Sequence, residues 1–240
     1  MAFNYQTFRT RTLTALVFAS VMLAGLLINA WTFLALVLVI NAGSWWEFLQ
    51  LSKKINFDTE KISKWFFIVT GLLFISISWA CFIDINFSMQ LQTALGNPSI
   101  NWLPLILISC MWINDTMAYI VGSFIGKTPL SSVSPKKTWE GTIGGIALTV
   151  LVVGWLGHQY FNSFIYLEKP VNFPGFHWYL FAGIAAITGT LGDLLESKVK
   201  RMAGVKDSGN IMPGHGGFLD RFDSILLATP VIWLYLYLLS

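Results

Sequence analysis

Side chains that could act on phosphate groups are concentrated in one polar stretch of this chain. Residues 197–223 read SKVKRMAGVKDSGNIMPGHGGFLDRFD, and Asp193 lies shortly before them. Asp220 and Asp223 close the stretch, and basic residues lie between the acids: Lys198, Lys200, Arg201 and Lys206. Carboxylates hold divalent cations, whereas lysine and arginine hold phosphates. The stretch therefore predicts phosphate chemistry assisted by a metal ion.

We expect three of these carboxylates to meet at one cation. Asp193 lies near the end of one apolar segment, and Asp220 and Asp223 share a face at the start of the next. Carboxylates at one depth repel one another unless a cation lies between them, and sites rich in oxygen suit Mg2+. Under the alternative, the acids only cap helices or form ion pairs with basic neighbours: Lys198, Arg201 and Arg221.

Two groups farther upstream could line the same site. Asn114 and Asp115 lie midway along an apolar segment, where an ionisable group costs about 2.5 kcal/mol or more and normally faces a polar cavity. The alternative for Asp115 is a buried structural hydrogen bond.

The connection at residues 122–141 reads GSFIGKTPLSSVSPKKTWEG, which lacks the spacing of a Walker A loop. Several of its side chains can nevertheless donate to phosphate oxygens: Ser134, Lys136, Lys137 and Thr138. The lysines could instead only anchor the loop at a membrane surface.

His215 lies between Gly214 and Gly216, in a segment too rich in glycine and proline to be helical. It could donate to a phosphate or assist a proton transfer, or it could be a structural hydrogen bonder. Glu47 lies near the end of an apolar segment, and the sequence assigns it no role.

The composition is that of an integral membrane protein. Of 240 residues, 55% are hydrophobic and 11% are charged, whereas a soluble domain is about 25% charged. The mean hydropathy is +0.64. A spanning helix needs about 20 mainly apolar residues. We predict an all-α polytopic bundle with about seven transmembrane helices: Leu13–Ile28, Trp31–Leu51, Trp65–Ile83, Trp102–Ile125, Thr142–Phe161, Trp178–Leu195 and Phe218–Leu239.

Lysine and arginine favour one orientation of this bundle. Of the 15 basic residues, all but Lys169 and the boundary residue Arg221 fall before the first span or in alternate connections on the same side. Basic residues concentrate on the cytoplasmic side of membrane proteins. We therefore expect a cytoplasmic N-terminus, an external C-terminus and a site that faces the cytoplasm. Residues 1–100 form an N-terminal, lipid-facing part, and residues 101–240 form a catalytic part with cytoplasmic loops 126–141 and 196–217.

The arrangement of the polar residues resembles a known family. The pattern begins with SKVKR at 197–201, continues with PGHGG at 213–217 and ends with DRFD at 220–223. This long signature is similar to that of the phosphatidate cytidylyltransferases, which are also called CDP-diacylglycerol synthases. Residues 134–141 and Asn114-Asp115 resemble the family as well. The resemblance covers about the last 130 residues.

The resemblance implies an enzyme of phospholipid biosynthesis in the plasma (inner) membrane. CTP and phosphatidate would give CDP-diacylglycerol and pyrophosphate with Mg2+, and a second cation is left open. The implied metal ligands are Asp193, Asp220 and Asp223. The implied catalytic residues are these three with Lys200, Arg201 and His215. The implied substrate-binding residues are Asn114, Asp115, Ser134, Lys136, Lys137, Thr138, Ser197, Gly216, Gly217 and Arg221. The resemblance also implies a homodimer, and no nucleic acid is expected as a partner.

Two other functions are weighed against this one. A CDP-alcohol phosphotransferase also uses clustered membrane aspartates and a cytidine nucleotide, but its aspartates lie within one compact D-G-x-x-A-R type motif. An ion-coupled carrier would fit an aspartate inside the membrane. Carriers, however, place their sites near the midplane between repeats, whereas these acids gather near one surface and no repeat is visible.

Overall fold

The computed structural model describes residues 5–60, 63–88, 90–91, 101–160, 165–166, 170–171, 173–211 and 216–239. Within these residues, seven long helices and one short helix follow one another. They are α1 (Tyr5–Leu27), α2 (Ala30–Lys54), the short α3 (Phe57–Glu60), α4 (Lys64–Phe87), α5 (Leu103–Ile125), α6 (Trp139–Tyr160), α7 (Phe176–Met202) and α8 (Leu219–Tyr237). Each predicted apolar segment coincides with one long helix, which confirms the helical bundle.

The predicted end of the sixth segment, at Leu195, is too early. Helix α7 continues to Met202 and so carries Lys200 as part of the helix. It ends in a Schellman motif, in which Gly204 N–H donates to the Arg201 carbonyl (3.0 Å) and Val205 N–H donates to the Lys200 carbonyl (2.9 Å). Gly204 has a φ of 66°, a conformation that glycine adopts readily. The prediction placed the end of the segment where the apolar residues stop. The helix itself continues beyond that point, because the charged residues that follow have good helix propensity.

Five of the described helices are long and apolar enough to cross a membrane: α2, α4, α5, α6 and α7. The apolar part of α1, Thr12–Leu27, is shorter. Helix α8 has 19 residues and begins with three charged ones, Asp220, Arg221 and Asp223, which lower its hydropathy. The chain is therefore a helical integral membrane protein.

A small sheet lies in segments for which only connections were expected. Strands β1 (Gln90–Leu91), β2 (Ile165–Tyr166) and β3 (Pro170–Val171) pair antiparallel in the order β1-β2-β3. Strand β1 follows α4, and β2 and β3 follow α6. The prediction of a purely helical fold misses this sheet, because strands of two residues are too short to show an alternating pattern.

Helices α5 to α8 pack against one another in chain order, and glycines set how closely they approach. At Gly145 an added Cβ would lie 2.9 Å from the Asn114 carbonyl oxygen of α5, and at Gly192 it would lie 2.6 Å from the Asp223 carbonyl oxygen of α8. Small residues let membrane helices approach closely. The contact at Gly192 places its neighbour Asp193 beside the start of α8.

A proline in α8 creates a polar link to the N-terminal half. Pro230 lies inside α8 and has no N–H, so the Leu226 carbonyl loses its usual helical donor. The buried Ser78 of α4 donates its hydroxyl to this carbonyl over 2.5 Å. Freed backbone groups in membrane helices are commonly satisfied by serine in this way. The contact fixes α4 against the helix that carries Asp220 and Asp223.

Candidate active site

Connections from three parts of the chain meet at one end of the bundle. Lys137, between α5 and α6, forms an ion pair with Asp193 of α7. Arg201, near the end of α7, donates from Nε to the Val133 carbonyl over 3.4 Å. Glu47, near the end of α2, accepts a hydrogen bond from the backbone at the start of α8. The paired strands follow α4 and α6 and so lie at the other end of the bundle. The polar residues at the first end can therefore form one site.

The α5–α6 connection has a defined shape that presents its lysines. Pro129 and Thr138 form an antiparallel bridge, and Leu130 N–H donates to the Lys137 carbonyl over 2.7 Å. Glu140, in the first turn of α6, accepts from the amides of Lys127 (3.1 Å) and Thr128 (3.2 Å). These backbone contacts close the connection into a hairpin, and they fix the position from which Lys136 and Lys137 reach the site.

A cavity of about 350 Å3 opens between this hairpin, α5 and α7. We call it the lysine cavity. Its lining includes six of the residues that the sequence predicts for substrate binding or metal binding: Asn114, Asp115, Lys136, Lys137, Thr138 and Asp193. The prediction that these side chains lie together is therefore supported by their positions, although their roles stay predictions.

The electrostatics of the lysine cavity favour a charged lysine beside carboxylates. Burial alone lowers the pKa of the Lys137 ammonium, but Asp193 and two other nearby aspartates outweigh this effect and raise the pKa above its ordinary value. Ser197 donates to Asp193 Oδ1 over 3.2 Å, so both oxygens of Asp193 have partners. Lys137 stays positively charged and can hold an anionic group that enters the cavity.

Asn114 and Asp115 differ in their surroundings although they are neighbours in α5. Asn114 is buried and donates from Nδ2 to Thr190 Oγ1 of α7 over 3.1 Å, while its Oδ1 has no hydrogen-bond donor among the described residues. Asp115 is exposed and lies in electrostatic range of Lys137, Asp193 and Arg221. Asp115 also lines a second, smaller cavity with Arg221 and Asp223. Asp115 therefore lines both cavities, and its role in the site stays a prediction.

Asp220 lies in a dense set of protein donors. Lys200 donates to its Oδ1 over 2.6 Å, and its Oδ2 accepts from Ser208 N–H (2.8 Å), Ser208 Oγ (3.0 Å) and Gly217 N–H (2.9 Å). Lys200 also forms an ion pair with the buried Glu196, four residues before it on α7. We call Lys200, Ser208, Gly217 and Asp220 the Asp220 cluster. Gly216 completes the turn with a φ of 81°, where a side chain would also contact Asp220.

The predicted metal ligands are not gathered around one point. Asp223 lies in electrostatic range of Asp193, whereas Asp220 is engaged by the cluster. Among the described residues, no three His, Cys, Asp or Glu side chains are arranged to hold a metal ion. Asp223 accepts at Oδ1 from the amide (2.6 Å) and hydroxyl (3.3 Å) of Ser224. The carboxylate oxygens of the three aspartates are of the type that Mg2+ prefers as ligands.

Other predicted residues have structural partners. Arg201 donates from Nη1 to the Val205 carbonyl (2.9 Å), as well as to Val133, and so links the two loops. The Ser134 carbonyl accepts from Lys137 N–H over 3.1 Å, which closes the tip of the hairpin. The alternative named Lys198, Arg201 and Arg221 as ion-pair partners of these acids. Among the described residues, the lysines that form ion pairs with Asp193 and Asp220 are Lys137 and Lys200. His215 lies outside the described residues.

Sequence reasoning assigned no role to two acids that the structure places beside the site. Glu47 is 2% exposed and accepts hydrogen bonds from the backbone at the start of α8, and Glu196 is paired with Lys200. An available signal for Glu47 was its place inside an apolar segment, since an ionisable group there is costly and tends to be functional. Glu196 could have been found from its spacing, because Lys200 follows it at i+4.

The fold and the site together define a class: a helical membrane protein with lysines and carboxylates arranged for phosphate groups. Residues 59–239 match the model of the Cytidylyltransferase family. The chain therefore belongs to the cytidylyltransferase family, and the resemblance seen in its motifs is confirmed.

Individual relatives agree with this assignment. The phosphatidate cytidylyltransferase of Synechocystis sp. is 44% identical over 135 residues, which cover 56% of this chain and 43% of the relative. That of Rickettsia bellii is 35% identical over 173 residues, with 72% and 73% covered. That of Staphylococcus aureus is 34% identical over 218 residues, with 86% and 76% covered. The chain thus spans less than half of the first relative and about three quarters of the other two.

Proposed function

We propose that this chain is a phosphatidate cytidylyltransferase that makes CDP-diacylglycerol at the membrane surface. A phosphate oxygen of phosphatidate attacks the α-phosphorus of CTP. A new P–O bond forms, the bond from that phosphorus to the bridging oxygen breaks, and pyrophosphate leaves with the electron pair. The attacking oxygen is already anionic, so the reaction needs positioning and charge neutralisation more than a strong base.

The observation that carries this proposal is the lysine cavity in a chain of this family. The cavity places two lysines opposite Asp193 and Asp115, at the end of the bundle where its polar loops meet. Lys136 and Lys137 would bind phosphate oxygens of the nucleotide, and Thr138 would donate its hydroxyl. When an anion enters, it can take over Lys137 from Asp193, and this exchange would free a carboxylate oxygen.

The carboxylate oxygens would hold Mg2+. Asp193 and Asp223 lie in electrostatic range of each other, and Asp220 begins the same helix as Asp223. When bound, Mg2+ neutralises charge on the phosphates and stabilises the leaving group. Ser197 orients Asp193, and Lys200 holds Asp220 in place beside the cavity of Asp223. Gly216, Gly217 and Arg221 shape the start of α8, while His215 remains a candidate for contacts with phosphate.

A transfer assay tests the activity directly. Purified protein is incubated with phosphatidate and CTP labelled at the α-phosphate, with Mg2+ or with a chelator. We expect label in the lipid phase only when Mg2+ and phosphatidate are both present. If no label enters the lipid phase even when Mg2+ and phosphatidate are both present, the proposal is rejected. Flux of a solute across vesicles without label transfer would instead favour the carrier.

We also propose that all seven long helices cross the plasma (inner) membrane, with the N-terminus and the site in the cytoplasm, and that the enzyme is a homodimer. The clustering of the basic connections at one end of the bundle supports this orientation. An impermeant thiol reagent should label a single cysteine at position 169 (Lys169→Cys) in intact cells, and it should label one at position 136 (Lys136→Cys) only after the membrane is opened. Reaction of both from the outside would reject the orientation. Cross-linking of the purified protein tests the dimer.

A further inference from the structure

Glu47 is a buried carboxylate that contacts the catalytic half from outside it. It belongs to α2, in the part of the chain before residue 59, where the match to the family model begins. Its Oε1 accepts from Phe218 N–H and its Oε2 from Leu219 N–H, both over 2.9 Å. These are the amides of the N-cap residue and of the first residue of α8, and N–H groups at the start of a helix have no partner within it. An anion at this end is also favoured by the helix dipole.

The same carboxylate reaches Asp220 through one shared residue. Ser208 donates its hydroxyl to Glu47 Oε2 over 2.6 Å, and this hydroxyl also lies 3.0 Å from Asp220 Oδ2. A hydroxyl has a single hydrogen, so it can donate fully to only one of the two carboxylates at a time. Glu47 is the closer acceptor. Glu47 therefore holds the Ser208 hydroxyl while the Ser208 backbone N–H donates to Asp220 Oδ2.

The surrounding backbone is shaped to fit this carboxylate. Added Cβ atoms at Gly209 and at Gly217 would both collide with the oxygens of Glu47. Gly217 also donates its N–H to Asp220 Oδ2. Two parts of the α7–α8 loop (residues 203–218), one at Ser208 and Gly209 and the other at Gly217, thus pack against one side chain of α2. Loss of this side chain would leave a buried gap lined by backbone donors, and such unsatisfied groups are costly.

We propose that Glu47 is a positioning residue, which holds the first turn of α8 and Ser208 so that Asp220 stays aligned with substrate and metal. The inference rests on the proposed function. Glu47 contacts none of the groups that react. It acts through Ser208 and the α8 amides. Through this contact, helix α2 of the N-terminal half helps to position a residue of the active site.

The test compares two carboxylates that both tie the N-terminal half to α8. Glu47→Gln keeps the size of the side chain but places an amide group against N–H donors. Asp84→Asn is the matched control, because Asp84 of α4 accepts from Trp233 Nε1 of α8 over 2.6 Å at the other end of the bundle. We expect Glu47→Gln to lower kcat about tenfold or more, since small displacements near reacting groups are costly. It should also raise the Mg2+ concentration needed for half-maximal rate, and Asp84→Asn should leave that concentration unchanged.

Hydrogen–deuterium exchange gives a readout that does not depend on activity. Glu47→Gln should increase exchange at residues 205–222, and Asp84→Asn should not. Ser208→Ala should reproduce the shift in Mg2+ dependence, and the double variant should be no worse than Glu47→Gln alone. Wild-type Mg2+ dependence in Glu47→Gln, or additive effects in the double variant, would overturn the inference. Absence of any label transfer by the wild-type protein would instead reject the proposed function, and the exchange data would still report on the contact.

Discussion

The lysine cavity and the Asp220 cluster each contain a lysine paired with an aspartate, but they differ in what surrounds the pair. Lys137 and Asp193 border an open volume of about 350 Å3. Lys200 is 8% exposed and lies between Glu196 and Asp220, and Asp220 Oδ2 accepts from two backbone amides and a hydroxyl. The first pair can exchange partners with a ligand, whereas the second is held by the protein.

This difference indicates that the lysine cavity and the Asp220 cluster have different roles. A pair beside open space can be separated by an incoming anion at little cost to the fold, because both charges find new partners. A buried pair cannot be separated without leaving a charge unpaired. The lysine cavity is therefore suited to binding a ligand that exchanges with the ion pair. The Asp220 cluster is suited to holding the α7–α8 loop and the first turn of α8 in a fixed position.

The largest expected effect separates activity from stability at these two aspartates. Asp193→Asn should lower kcat about 100-fold or more, because loss of a metal ligand removes several kcal/mol of stabilisation. Its melting temperature should change little, since the pair borders a cavity. Asp220→Asn should lower kcat similarly and also lower the melting temperature, because an amide nitrogen would face the donors of Ser208 and Gly217. Label transfer and thermal unfolding in detergent measure both quantities.

Asp223→Asn is the companion to this experiment, because Asp223 lies in electrostatic range of Asp193 but outside the cluster. We expect it to behave like Asp193→Asn, with activity lost and membrane insertion intact. Near-normal turnover in both Asp220→Asn and Asp223→Asn would contradict the metal assignment. Equal losses of stability in Asp193→Asn and Asp220→Asn would remove the distinction between the two regions.

A somewhat smaller effect is expected at the lysines. Lys200→Met removes the cation between two buried carboxylates and should destabilise the protein by about 3 kcal/mol or more. Adding Glu196→Gln should recover part of this loss, because one uncompensated charge is then gone. Lys137→Met should raise the KM for CTP with little loss of stability. Denaturation curves and steady-state kinetics of the three variants check this order, and a loss of stability in Lys137→Met as large as that in Lys200→Met would contradict it.

The sequence predicted the helices well because their apolar residues are long and continuous. It missed the end of α7, where charged residues continue a helix past its apolar part, and it missed two-residue strands whose pairing depends on distant segments. It also named six of the residues that line the lysine cavity, since Asp193 and Asp115 are ionisable residues in apolar segments and Lys137 lies in a connection rich in hydroxyl and basic groups. Their spacing along the chain, however, contains no information about which lysine meets which aspartate.

The role of Glu47 shows what local sequence cannot supply. Its partners lie more than 150 residues away, and two of them are backbone amides that any residue type could provide. The hydrogen-bond partners of Asp220 could not be predicted from the sequence for the same reason. Carboxylates three residues apart predict a shared face, but the donors that engage Asp220 and not Asp223 come from a loop whose path depends on the whole bundle.

A pH experiment on Lys137 tests the electrostatics of the cavity. Its pKa is raised in the folded protein, so its contribution to stability is fully present below the pKa of the unfolded chain, about 10.4. That contribution is lost only as the pH rises through the higher folded pKa. The stability difference between wild type and Lys137→Gln, although small, should therefore be constant from about pH 7 to 9 and should shrink only in more alkaline solution. A difference that fell near neutral pH would show that the aspartates do not act on this lysine as described.

The smallest effect is expected at the contact that joins α4 to α8, about one turn beyond Asp223. Ser78→Ala removes the hydroxyl that donates to the Leu226 carbonyl, which Pro230 leaves without a helical donor. Hydrogen bonds between membrane helices contribute on average about 0.6 kcal/mol, so the melting temperature should fall only slightly. The kcat and the Mg2+ dependence should stay at wild-type values, because the start of α8 is held separately by Glu47. A change in Mg2+ dependence in Ser78→Ala would show that the position of α8 along its whole length, and not only its first turn, aligns Asp220.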